Sequence, residues 1–178
     1  GMFMSNRIKL CLTTLRSRVN KHKLIEIQRE EGKLIEVTCS FNPPALKSEI
    51  ESFFKLNKWQ VPSDYFSFLN LHNGAILFTE PKYGGGLELF SLNAIVECRD
   101  EYDYMLPPTC YPIGMLNNAI LYINSEKVKS SLEGYLYWQD CIGDHETAIA
   151  LNINFETFLD LFILAQGSEF WLWPTFKP

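Results

Sequence analysis

Apolar and polar positions in the first forty residues follow two different periods. Between about residues 6 and 21 the apolar side chains recur every three or four positions, which is typical of an amphipathic helix. The segments KLIEIQR (23–29) and KLIEVTC (33–39) instead alternate apolar and polar residues on either side of Glu31-Gly32. This alternation predicts two antiparallel strands with one buried face, joined as a hairpin.

Helical spacing returns after Pro43-Pro44, a pair that cannot lie inside a helix or a central strand. The apolar positions that predict this helix are Leu46, Ile50, Phe53 and Phe54. A second helix is predicted from Pro62, whose missing N–H costs nothing in a first turn. Ser63 and Asp64 can accept amide donors at that end.

The second helix is predicted to end at Asn73-Gly74, because either residue can adopt a left-handed conformation at little cost. The next residues, AILF (75–78), then begin a strand. Further short apolar runs predict strands at 87–92, 111–116, 119–124, 134–140 and 148–151, with a loop at 80–86.

A closing helix is predicted from the N-cap Asn154 to Gly167. Its inward face would consist of Phe155, Phe158, Leu159 and Phe162. Helices thus come first, strands cluster in the middle and a helix closes. This order predicts an α+β fold, a mostly antiparallel sheet flanked by helices, rather than alternating βαβ units.

The length of 178 residues and the 47% hydrophobic content favour a folded chain with one core. We expect residues 1–43, a helix and hairpin extension, to pack on a main part at 44–178 as one structural unit. No apolar run approaches the roughly 20 residues that span a bilayer, and the N-terminus lacks a signal-peptide pattern. A cytoplasmic location without membrane contact is therefore expected.

Charge is distributed unevenly within the net −5. Residues 1–43 hold eight Lys/Arg against four Glu, whereas residues 44–178 hold eight Lys/Arg against seventeen Asp/Glu. The basic segment lacks aromatic residues at stacking spacing, so nucleic-acid binding is not expected. The acidic main part suits a basic protein partner.

Five cysteines without a C-x-x-C pair argue against a disulfide framework and a structural zinc site. No metal or cofactor is expected. His145 follows Cys141 closely, so a hydrolase or transferase that uses Cys141 or Cys98 with His145 is one alternative. We interpret His22 as a solvated residue and His72 as a helix-end residue that bonds the last carbonyls. No H-E-x-x-H, G-x-S-x-G or phosphate-loop motif occurs.

The better functional candidate is the acidic loop predicted within VECRDEYDYM (96–105). Acidic groups steer a basic partner, and tyrosine buries a large area at low rotamer cost. The proposed partner-binding residues are Glu97, Asp100, Glu101, Tyr102, Asp103 and Tyr104. Such a surface could occupy a nuclease's basic channel as a phosphate mimic.

The chain ends in an aromatic tail that contains Phe170, Trp171 and Trp173. We expect these rings to dock on the N-terminal helix and hairpin and to complete the core. The alternative is an exposed apolar patch that serves a dimer or a partner.

In their order along the chain these motifs resemble the SUKH superfamily, one branch of which is named for a yeast cell-wall-synthesis regulator. The resemblance covers about residues 44–165 and includes LELFSLNAIVE, YPIGMLNNAILYIN and AIALNINFETFLDLF. The signature positions around the second helix are Glu51, Pro62, Tyr65, Phe68, Leu69, Asn73 and Gly74. Val61, Ala75 and Asn117-Asn118 depart from the family pattern.

The resemblance implies an α+β fold and no known catalysis. Bacterial members are mostly taken to be immunity proteins that neutralise a toxin, often a nuclease or a deaminase. The expected partner is therefore a protein, a basic toxin domain, with the chain itself a monomer or a weak homodimer. A regulatory scaffold, the role of the related eukaryotic domain, is a further alternative.

Overall fold

The computed structural model describes residues 2–18, 24–29, 32–130, 134–142 and 148–176. Its six helices are α1 (Met2–Ser17), α2 (Lys47–Asn57), α3 (Ser63–Leu71), α4 (Leu92–Glu101), α5 (Ser125–Ser130) and α6 (Phe155–Leu164). Its eight strands are β1 (Ile25–Gln28), β2 (Leu34–Phe41), β3 (Ala75–Thr79), β4 (Leu87–Leu89), β5 (Cys110–Leu116), β6 (Ala119–Asn124), β7 (Leu136–Asp140) and β8 (Ile149–Ala150). A 3₁₀ turn (Phe170–Leu172) lies in the tail.

The eight strands form one antiparallel sheet in which their spatial order is their order along the chain. Each strand can pair with the next because the chain turns back between them. Between β5 and β6 the turn is only Asn117-Asn118, and Asn117 adopts a left-handed φ of 54°. The predicted α+β fold with an antiparallel sheet is thus confirmed.

Helix α1 packs against α3 and α6. Its buried side chains Ile8, Leu12 and Leu15 belong to the same hydrophobic core as the sheet. Arg7 adds polar contacts between α1 and α6, since its guanidinium lies 3.1 Å from the Glu156 carboxylate and 3.2 Å from that of Asp160.

A buried carboxylate joins the first turns of α3 and α6. Asp64 is fully buried and accepts hydrogen bonds from the Tyr135 hydroxyl at 2.8 Å, the Tyr65 N–H at 2.8 Å and the Glu156 N–H at 3.0 Å. The Tyr135 hydroxyl in turn accepts from the Phe155 N–H at 2.7 Å. Two helix N-termini, each with free N–H donors, therefore share one anionic group.

Several local predictions are confirmed by the caps of the helices. The Asn154 side chain accepts from the Thr157 N–H at 2.8 Å and caps α6. Gly74 has a φ of +98°, and a Cβ there would lie 2.8 Å from the Ser91 nitrogen. Only glycine fits this turn between α3 and β3.

Other local predictions need correction. The expected acidic loop is helical as far as Glu101, because Leu92, Ile95, Cys98 and Arg99 form a buried stripe at helical spacing. The strand expected at 87–92 ends at Leu89. The short helix α5 was not predicted, and the expected turn residue Glu31 lies outside the described residues.

Candidate partner-binding surface

The proposed partner-binding residues lie at the C-terminal end of α4 and in the turn that follows it. Ser91 begins this helix, and its hydroxyl accepts from the Ala94 N–H at 3.2 Å. Because the buried stripe faces β5, Glu97, Asp100 and Glu101 face outward and are exposed. We call the six residues Glu97, Asp100, Glu101, Tyr102, Asp103 and Tyr104 the acid-tyrosine surface.

An ion pair between Arg99 of α4 and Asp103 links the turn after the helix to the helix itself. Arg99 is only 9% exposed, and its guanidinium lies 3.5 Å from the Asp103 carboxylate. Within the described chain, no cation lies within 4 Å of the other three carboxylates. Glu97, Asp100 and Glu101 therefore present their charge to solvent.

The two tyrosines differ in burial. Their ring centroids are 6.2 Å apart, with Tyr102 half-buried and Tyr104 72% exposed. Burial raises the pKa of Tyr102, and the thiol of Cys141 and the carboxylate of Glu101 raise it further. Tyr102 is thus a neutral phenol at pH 7, and Tyr104 offers a large exposed ring beside the acids.

The sheet brings three further residues to this region that the sequence did not indicate. Glu88 of β4 and Asp140 of β7 are exposed and act electrostatically on Cys98 and Cys141 respectively, as does Glu101 on both thiols. Ile142, which follows Cys141, is 66% exposed. The alternation within β7 places Asp140 outward, next in sequence to Cys141.

Neither candidate thiol is activated. Burial raises the pKa of Cys98 to about 12, and the nearby Glu101 and Glu88 carboxylates act in the same direction. Burial also raises the pKa of Cys141, although the Tyr102 hydroxyl opposes this. Reactive thiols need the opposite surroundings. His145 and His22 lie outside the described residues.

His72 has a different role from the one predicted. Its Nδ1 lies 2.9 Å from the Asn42 carbonyl oxygen, not at the last carbonyls of α3, and its Nε2 contacts the Arg16 guanidinium. Its ring packs on Phe41 with centroids 4.9 Å apart. Burial lowers the pKa of His72, so a neutral ring can donate to Asn42 and accept from Arg16.

The signature residues around α3 lie in or near the core. Tyr65, Phe68 and Leu69 are fully buried, and Pro62 caps the helix. The Asn73 side-chain oxygen accepts from the Leu92 N–H at 2.9 Å and so links the end of α3 to the start of α4. Glu51 is the exposed exception, 3.8 Å from Lys47. Apart from Glu51, these positions carry packing, capping or turn geometry.

The aromatic tail packs elsewhere than predicted. Phe170 and Trp171 are buried, but their ring contacts are with Phe158 and Phe162 of α6 and with Trp138 of β7, instead of the N-terminal helix and hairpin. Trp173 remains 44% exposed.

The described residues were also compared with the requirements of a membrane span and of a metal site, and they meet neither. No helix among them has both the length and the apolar character needed to cross a membrane. In the same residues, no group of three or more His, Cys, Asp or Glu side chains could hold a metal ion.

Comparisons with known proteins identify the family. The model of the SMI1 / KNR4 family (SUKH-1) matches residues 44–161. The uncharacterized protein YobM of Bacillus subtilis (strain 168) is 35% identical over 176 residues, which cover 96% of this chain and 94% of that protein. The uncharacterized protein YnaB of the same strain is 32% identical over 136 residues, which cover 76% of this chain and 88% of that protein. The chain therefore belongs to the SMI1 / KNR4 family (SUKH-1), as its motifs predicted.

Proposed function

We propose that this protein is a non-catalytic binding module, an immunity protein that neutralises a bacterial toxin in the cytoplasm as a monomer or weak homodimer. The observation that carries the proposal is the acid-tyrosine surface. It combines three exposed carboxylates without a cationic partner among the described residues and an exposed tyrosine. Family membership supports the same role, because bacterial SUKH proteins are mostly taken to be immunity proteins.

The acid-tyrosine surface suits a basic toxin domain for two physical reasons. Exposed carboxylates accelerate association with a positively charged partner. The exposed ring of Tyr104 can supply a buried anchor that slows dissociation. A nuclease or deaminase with a cationic substrate channel would thus lose access to its substrate when this surface covers the channel.

An enzymatic function has less support. The raised pKa values of Cys98 and Cys141 would leave both thiols protonated at neutral pH. Alkylation by iodoacetamide at pH 6.5 tests this directly. We expect both cysteines to react more slowly than an unperturbed thiol, and rapid modification of either would favour the hydrolase alternative.

The functional test is co-expression with the C-terminal domain of the candidate toxin encoded by the adjacent gene. We expect the chain to restore growth and to co-purify with that domain. The double variant D100K/E101K should lower the association rate by about tenfold or more at low salt, because two steering charges are reversed.

A matched control separates the acid-tyrosine surface from bulk charge. Glu26 and Glu36 are exposed, paired residues on β1 and β2, so E26K/E36K makes the same change in net charge elsewhere. We expect this control to associate at nearly the original rate. Equal slowing by both double variants, or slowing by neither, would exclude the acid-tyrosine surface as the contact face.

A further inference from the structure

A groove of about 820 Å³ lies beside the C-terminal tail, away from the residues that define the acid-tyrosine surface. Its apolar lining comes from Phe78, Leu116, Leu172 and Trp173, and Arg29 and Glu169 add one charge of each sign. Its lining thus combines apolar side chains with charged and polar groups. Concavities of this size with both kinds of group are typical of binding sites. The function proposed above does not use this groove.

Arg29 brings a cationic guanidinium to the groove. Among the described residues, this guanidinium donates a single hydrogen bond, to the Gln166 carbonyl oxygen at 2.7 Å. Across the described ranges, no carboxylate lies within 4 Å of it, although Glu80 attracts it from further away. A half-buried guanidinium with spare donors favours an anionic ligand group, above all a carboxylate that it can bind through two N–H groups.

The floor of the groove is held in place by its surroundings. Phe78 has a φ of 60°, which is rare for a bulky residue, and lies where the β2–β3 register shifts. Its ring packs edge-on against Phe162, 5.7 Å between centroids, and a Cβ on Gly167 would lie 2.8 Å from the Phe78 Cβ. A strained backbone persists only where neighbours over-determine it, so this floor is rigid before any ligand arrives.

The charges around Arg29 restrict the occupant. Glu80 lies near the guanidinium, and the Glu169 carboxylate accepts from the Asn117 side chain at 2.9 Å within the same groove. A nucleic acid would bring many phosphates against these two carboxylates. A single carboxylate on an otherwise neutral ligand can pair with Arg29 and meets much less repulsion from Glu80 and Glu169 than a run of phosphates.

The extent of the concave surface indicates a chain-like ligand. A second groove of about 430 Å³ shares Leu116, Asn117, Glu169 and Leu172 with the first. It continues to Trp138, Asp140 and Ile142 at the end of β7. The Asp140 and Glu169 carboxylates place negative charge at this end of the grooves, away from Arg29. Two joined grooves with repeated apolar contacts suit an extended peptide better than a compact metabolite.

We propose that the joined grooves bind an extended peptide segment of a protein partner. One acidic side chain of that segment pairs with Arg29, and its apolar side chains lie on Phe78, Leu172 and Trp173. The site gives the protein a second contact surface. This surface selects an acidic and apolar peptide segment, whereas the acid-tyrosine surface selects a cationic partner.

The test begins with the full-length chain and a displayed library of random 12-residue peptides. We expect enriched peptides to share one Asp or Glu flanked by apolar residues. Fluorescence anisotropy then compares the strongest peptide with its counterpart in which that acid is replaced by its amide. The amide peptide and the variant Arg29→Gln should each bind at least about tenfold more weakly, because each removes the charged pair.

Two control variants test whether the loss of peptide affinity is specific to the groove. Lys55→Gln removes an exposed cation on α2, and Leu56→Ala removes an 82% exposed apolar side chain beside it. Both should leave peptide affinity unchanged, whereas Trp173→Ala should lower it. Circular dichroism at each step confirms that the variants are folded.

Four outcomes would overturn the proposal: no enriched peptide, enrichment without an acid, unchanged affinity of Arg29→Gln, or free succinate binding as tightly as the peptide. The variant D100K/E101K should bind the peptide normally, so the groove and the acid-tyrosine surface can fail independently of each other.

Discussion

At the scale of single residues, His72 joins three parts of the chain that are distant in sequence. Its ring contacts Arg16 of α1, Phe41 of β2 and the Asn42 carbonyl oxygen. The Arg16 guanidinium also lies over the Phe41 ring, 4.8 Å from its centroid. This arrangement needs a neutral imidazole, because a protonated ring could not accept from Arg16 and would add a second cation beside it.

A pH dependence of stability follows from the lowered pKa of His72. The unfolded chain binds the proton more readily than the folded chain, so the contribution is complete above pH 6.5 and is lost as the pH falls toward the folded pKa. We expect urea unfolding at pH 7.5 and 5.5 to show this loss. His72→Gln, which cannot titrate, should lose less stability over the same interval.

The original chain and His72→Gln share all their other titrating groups. Burial raises the pKa of Glu156 and Glu169, so these carboxyls favour the folded state as the pH falls, opposite in sign to His72. The difference between the original chain and His72→Gln therefore isolates the histidine. Equal losses in the two proteins would contradict the role assigned to His72.

At the scale of elements, the sequence predicted where helices begin and end better than it predicted which distant segments pack together. The Asn154 cap and the left-handed turn at Gly74 were predicted from local sequence, and both are confirmed. Much of the predicted acidic loop belongs to α4 instead, because charged residues mask the buried stripe of this helix, which includes the cation Arg99. The docking of Trp171 on α6 depends on contacts between distant segments that no local pattern encodes.

The candidate surfaces show the same division. Sequence alone indicated the six residues of the acid-tyrosine surface, since they lie within one short stretch, 97–104. It did not indicate Asp140 and Ile142, which strand pairing brings into the region. The groove could not be predicted at all, because its lining runs from Arg29 to Pro174 and forms only when hairpin, sheet and tail assemble.

The turn after α6 gives a prediction at this scale. Gly167 has a φ of +83° and lies against Phe78, so Gly167→Ala adds both backbone strain and a clash. Gly84 has a φ of +75° but no atom within 4 Å of an added Cβ. We expect Gly84→Ala to lower the free energy of unfolding by about 1–2 kcal/mol, the left-handed cost alone. Gly167→Ala should cost about 1–3 kcal/mol more, from overpacking.

Chemical denaturation of the two glycine variants side by side measures that difference. The shared left-handed backbone makes Gly84→Ala the appropriate reference for Gly167→Ala. If the two variants are equally stable, Phe78 yields to the added methyl group, and the rigid floor assigned to the groove is wrong.

At the scale of the whole molecule, the hydrophobic core includes residues on both sides of the range that the family model matches. The model matches residues 44–161, whereas the core also includes α1, β1 and β2 on one side and the tail rings on the other. The relative YobM aligns with 96% of this chain. We therefore expect the outer segments to stabilise the part that the family shares, so that the chain unfolds as one cooperative unit.

Two leucines of α1 test that expectation. Leu12 is 1% exposed within the core, and Leu10 on the same helix is 65% exposed. Leu12→Ala should lower the free energy of unfolding by about 2–5 kcal/mol, through lost burial and a cavity, whereas Leu10→Ala should change it by less than about 0.5 kcal/mol. Because α1 packs on α3 and α6, the loss should appear as a shift of a single transition, measured both by tryptophan fluorescence and by circular dichroism. An early separate transition for Leu12→Ala, with the tryptophan signal unaffected, would show that α1 unfolds alone and that residues 1–43 form an independent extension.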